Sequence, residues 1–133
     1  MNAQQIKPPA DAEIIKGEIA DYWYNDGILY SYSKITKRTV ENIRDNVWLV
    51  KKITGNKSVP LVIYLRPSPV PDKATRKFST EQLPQVYKAM AMVSKPGLAQ
   101  FIMKILFRLK PPPIPMKQFS NDVDAREWLK HYL

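Results

Sequence analysis

Three features of the sequence predict an α/β fold: a mixed, mostly parallel sheet with an N-terminal antiparallel hairpin and about four helices. The stretch "IADYWYNDGILYSYS" sets two aromatic and β-branched runs around Asn25-Asp26-Gly27. After Thr36 the apolar positions switch period. Beyond that point short apolar runs and amphipathic runs take turns, and such alternation implies right-handed crossovers between parallel strands. A chain of 133 residues holds one domain with a real core and is too short for two comfortable ones.

Residues 1–16, with "KPP" and alternating small and charged residues, read as a flexible lead-in, and 17–133 as the single domain. The hairpin follows, with strands at about 19–24 and 28–33, because Gly27 can take the positive φ that a tight turn demands. Val40, Ile43, Val47 and Val50 recur at helical spacing, while Lys37, Arg44, Asp45 and Lys52 point elsewhere. This amphipathic helix ends near Gly55. "VPLVIYL" (59–65) is a continuous apolar run between polar and proline residues, which predicts a central strand buried on both faces.

A proline-rich loop comes next, and Asp72 is placed to cap a short helix, "KATRKF", with Pro84 limiting any continuation. "VYKAMAMV" (86–93) reads as a second inner strand, with helix as the competing reading on its Ala and Met content. A helix from about 97 to 109 is stopped by Pro111, Pro112 and Pro113. "IPMKQF" makes a brief strand. Ser120 or Asn121 then caps a last helix, whose Asp122 and Asp124 suit the positive end of its dipole and whose Ala125, Trp128, Leu129 and Tyr132 share one face.

This order of elements resembles the STAS domain, the fold of anti-sigma-factor antagonists of the SpoIIAA type. "PLVIYLR" and "AMAMVSKPGLAQFIMKILFRLKPPPIPMKQFSNDVDAREWL" are similar to a set of bacterial SpoIIAA-like proteins without an agreed activity, and the resemblance spans about residues 19–132. It implies a regulatory interaction domain. The family's switch is a phosphorylated Ser at the start of the helix after the central strand. Asp72 matches the family's Asp there, but Lys73 stands where that Ser would be, so the resemblance does not carry the phosphoswitch over.

The formal charge is +9, and +7 of it lies between Arg66 and Lys110, where nine basic residues face only Asp72 and Glu81. That bias favours anionic partners without choosing among nucleic acid, lipid headgroups and acidic proteins. The absence of cysteine excludes disulfides and thiolate metal sites. No run approaches the roughly 20 apolar residues that span a bilayer, and a cytoplasmic location is expected.

No catalytic constellation is visible. His131 is the one histidine, the carboxylates are scattered, and the four glycines form no phosphate-binding motif, so a non-enzymatic protein without cofactor or metal is expected. Tyr22, Trp23, Tyr24, Tyr30 and Tyr32 could stack nucleic-acid bases, but burial of one hairpin face accounts for them more simply, and nucleic acid is not the expected partner.

The helix 97–109 leaves a surface to explain. Leu98, Phe101, Ile102, Ile105, Leu106 and Leu109 form a stripe expected to lie on the sheet, and Ala99, Met103 and Phe107 form a second stripe beside it. Only Gln100, Lys104 and Arg108 are left for water. The second stripe, flanked by Lys95, Lys104, Arg108 and Lys110, is the candidate binding surface together with loop 66–76. Its expected occupant is a second copy in a homodimer or a regulatory protein partner, the alternative being an amphiphilic, lipid-like anionic ligand. Cover by the domain's own proline loop or tail is the plainer reading.

Overall fold

The computed structural model describes residues 11–108 and 110–133, so the first ten residues of the expected lead-in and Leu109 of the expected sheet-facing stripe lie outside the described residues. Six strands run in the spatial order of the chain: β1 (Ile15–Lys16), β2 (Ala20–Asn25), β3 (Ile28–Ser33), β4 (Val59–Tyr64), β5 (Tyr87–Val93) and β6 (Met116–Phe119). The first two pairings are antiparallel and the last three parallel. Ile15 and Lys16, expected within a flexible lead-in, pair with Tyr22 and Asp21.

The hairpin turns on two residues, Asp26 at φ 52° and Gly27 at φ 80°, with Asn25 opposite Ile28. Two positive φ values in succession give the turn whose twist matches that of the strands. Helix α1 (Val40–Thr54) starts from a reciprocal cap, in which the Asn42 N–H donates to Thr39 Oγ1 at 3.1 Å and the Thr39 N–H to Asn42 Oδ1 at 2.8 Å. It ends at Gly55, whose φ of 66° lets its N–H reach the Lys51 carbonyl. Gly55→Ala should lower stability by about 1 kcal/mol through left-handed strain alone, since an added Cβ meets nothing there. A thermal melt checks this.

Helix α2 (Lys73–Val86) is longer than the expected "KATRKF" and passes through Pro84. Pro84 removes one rung close to the C-terminal end, and burial of Leu83 and Val86 holds the last turn against the core. The strand reading of "VYKAMAMV" holds from Tyr87 onward, with Val86 closing the helix. Helix α3 (Pro96–Phe107) and helix α4 (Asp122–Leu129), capped by Asn121, complete the fold before a 3-10 turn at Lys130–Tyr132.

Each crossover from β3 to β6 advances one strand in the same direction, and a constant hand then puts α1, α2 and α3 on one face. That face holds Tyr22, Leu29, Leu61, Met90 and Met92, packed with Val50 of α1, Leu83 of α2 and Phe107 of α3. The opposite face holds Trp23, Tyr30, Val62, Tyr64 and Ala91, met by Ala125 and Leu129 of α4. There Trp23 stacks on Tyr30 at 5.3 Å and on Tyr64 at 5.8 Å between ring centroids. The Tyr64 hydroxyl donates to Asp122 Oδ2 at 2.9 Å, and Arg126 pairs with the same oxygen at 3.0 Å. Among the described residues no helix is long and apolar enough to cross a membrane.

The stripes of α3 differ from the expectation. Ala99 and Phe107, assigned to the outer stripe, are only 1% and 6% exposed and belong to the buried cluster of Met90, Met92 and Ile114, with Met103 packed beside them. Of the stripe assigned to the sheet side, Leu98, Ile102 and Leu106 pack against that cluster as expected, whereas Phe101 is 53% exposed. The two stripes lie about 100° apart on the helix, so a small residue such as Ala99 at the point of contact decides which one approaches the sheet.

Candidate functional site

An apolar cleft of about 280 Å³ lies between the sheet and the three helices, with the proline loop 66–71 in its wall. Its sides are built from Ile43 and Val47 of α1, Leu83 and Val86 of α2, and Leu98, Ile102 and Leu106 of α3. The floor is Leu61, Ile63, Met90 and Met92 from the sheet. The sequence places these residues by two simple periods: every second residue of β4 and β5 points to this face, and one stripe of each helix faces it. Leu98, Ile102 and Leu106 of the expected sheet-facing stripe thus both pack against the core and border this cleft.

One part of the lining is polar. The Tyr22 hydroxyl donates to Asn46 Oδ1 at 2.8 Å, and Ser31 and Tyr87 are further hydrogen-bond partners of the same phenol. Burial raises the Tyr22 and Tyr87 pKa values above 10.0. Arg38 lines the same cleft, and its guanidinium donates through Nη1 to the carbonyls of Lys34 and Thr36, both at 2.6 Å, and through Nη2 to that of Ile19 at 3.1 Å. Burial holds its pKa below the usual arginine range, with the neighbouring Tyr22 acting weakly the other way. Among the described residues no carboxylate forms an ion pair with Arg38. Three of its five N–H groups are used by carbonyls, which leaves a desolvated positive charge with two donors to spare.

A second, shallow groove lies between α3 and β6. Ala99, Met103 and Phe107 line it together with Lys104, Arg108 and Lys110, so six of the seven expected surface residues do meet, but with Ala99 and Phe107 buried in its floor. Lys95 is the residue left out, because it caps the opposite end of α3. Lys117 of β6 borders the groove along the strand, but its ammonium lies over the Phe119 ring at 5.5 Å on the α4 face; the sequence did not single it out. Asp72 caps α2, accepting from the Thr75 N–H at 2.8 Å, and hydrogen bonds from Thr75 hold its carboxyl below the usual range. Lys73 is the exposed first residue of that helix.

A family model, the domain of unknown function DUF7793, matches residues 22–133. The chain belongs to this family. No curated protein matches it. The crystal structure of a DUF3478-family protein with a SpoIIAA-like fold, from Shewanella loihica PV-4, is similar to this DUF7793 domain with a TM-score of 0.53. The two are 16% identical over 89% of this chain and 91% of that one. The DUF7793 domain thus has a SpoIIAA-like fold, and the α3–β6 groove, together with the cleft lining apart from Ile19 and Ala20, falls inside residues 22–133.

Proposed function

We propose that this domain is a non-enzymatic binding module that takes up a small amphiphilic anion, its apolar part in the cleft and its charged head toward Arg38. The observation that carries the reading is a half-buried, partly desolvated guanidinium without a carboxylate beside an apolar cavity. Burying a cation is costly unless it is paired, and three neutral carbonyls satisfy its geometry without neutralising it. An acidic headgroup would supply the missing charge and accept the two remaining donors. The cavity volume is close to the lower end of the range of small-molecule pockets, about 300–1,000 Å³, and a few convergent polar groups in an apolar lining are their usual composition.

Self-association through Ala99, Met103 and Phe107 has less support, because the apolar area it required is already inside the domain. The SpoIIAA-like fold is compatible with either kind of binding, and it raises the regulatory reading without choosing a partner.

Calorimetry with octanoate and 1-octanol tests the assignment. Octanoate is expected to bind, and Arg38→Met should weaken it about tenfold while changing octanol little, as expected for loss of one charge-assisted contact. Arg38→Lys should recover part of the loss if the variant keeps a native melting curve. Ile102→Trp, which fills the cleft, should abolish both. If neither probe binds the wild-type protein, or if Arg38→Met weakens both equally, the charged-head assignment is wrong.

A further inference from the structure

We propose that the outer edge of β6 is a docking strand for an extended acidic segment of another protein, which adds a seventh strand beside the basic α3–β6 groove. This inference is independent of the cleft and of what fills it.

The first support is the open edge. Met90 and Ser94 donate their N–H groups to the carbonyls of Pro115 and Phe119, so the odd-numbered residues of β6 face β5. Backbone groups alternate sides along a strand, and Met116 and Gln118 therefore turn their N–H and C=O groups outward. Among the described residues no strand pairs with that side.

The second support is charge. Lys104, Arg108 and Lys110 line the groove on the α3 side, while Lys117 projects from the other face of β6 over the Phe119 ring; no carboxylate lines the groove, and none of the four forms an ion pair among the described residues. A lone edge lysine commonly serves to prevent pairing with other edges. Three cations on the α3 side of two open backbone residues do more, because they select the charge of what can pair. A second copy of this chain is disfavoured, since joining two β6 edges would bring both sets of cations together. An added strand lies about 4.8 Å from β6, with alternate side chains toward α3, so the fitting segment carries Asp or Glu at every second position.

The test uses a capped, labelled peptide of alternating Glu and Val, a control of the same sequence and charge with every backbone nitrogen methylated, and a single-stranded oligonucleotide of similar charge. The alternating peptide should bind the full chain at low salt about tenfold more tightly than the N-methylated control, because that control supplies no ladder donors in either strand direction. Lys104→Glu combined with Arg108→Glu, both at exposed positions, should cost at least about tenfold with the fold retained. Amide exchange at Met116 and Gln118 should slow on binding. Equal affinity for the N-methylated control, unchanged exchange at those amides, unchanged binding by the double variant, tighter binding of the oligonucleotide or no binding at all would each overturn the proposal.

Discussion

Phe107→Asp is expected to unfold the domain. The ring is 6% exposed in the cluster that joins α3 to Met90, Met92 and Ile114. Truncating a buried Phe to Ala costs about 3–5 kcal/mol, and an ionised carboxylate in the vacated site adds its own desolvation. The sum approaches the roughly 5–15 kcal/mol that holds an ordinary domain together. Far-UV circular dichroism and a sizing column should show loss of structure, whereas Phe101→Asp, at a 53% exposed position on the same helix, should melt close to wild type. A Phe107→Asp protein with a native melting curve would return that residue to the surface and revive self-association through α3.

Raising the pH through and above 10 is expected to unfold the protein cooperatively. Burial is the first cause that raises the pKa of Tyr22, Tyr30, Tyr64 and Tyr87 above the ordinary 10.0, and the Asp122 carboxylate beside Tyr64 adds to it. Below pH 10 these phenols are protonated in both the folded and the unfolded chain, so the native preference is fully present. Above it the unfolded chain releases protons that the folded chain retains. The unfolded state then binds fewer protons, and stability falls as pH rises toward the folded values. Phenolate absorbance should rise together with loss of circular dichroism. A gradual phenolate titration with the fold intact would show that the four hydroxyls reach water without unfolding.

The order and type of the elements were legible because they rest on local signals. Gly27 and Gly55 mark positions that need positive φ, "VPLVIYL" lacks a polar face, and Asp72 and Asn121 precede their helices at capping distance. What was not legible depends on rotation and on distant partners. Two apolar stripes on α3 differ only by rotation about its axis, and the sequence does not show that Ala99 permits the closer approach. Arg38 drew no notice, because its role comes from carbonyls of Ile19, Lys34 and Thr36 and from the burial that the cleft imposes. The reach of α2 through Pro84 was missed because one lost rung was weighed without the burial of Leu83 and Val86.

The division of helices between the two faces also bears on how the chain is made. All elements that flank the Trp23–Tyr30–Tyr64 face within the sheet precede α4 in synthesis, and the Tyr64–Asp122 bond joins residues 58 positions apart. During translation that aromatic surface stays uncovered until α4 has left the ribosome. A ribosome stalled between β6 and α4 would present a nearly complete sheet with one sticky side, the kind of intermediate that chaperones bind.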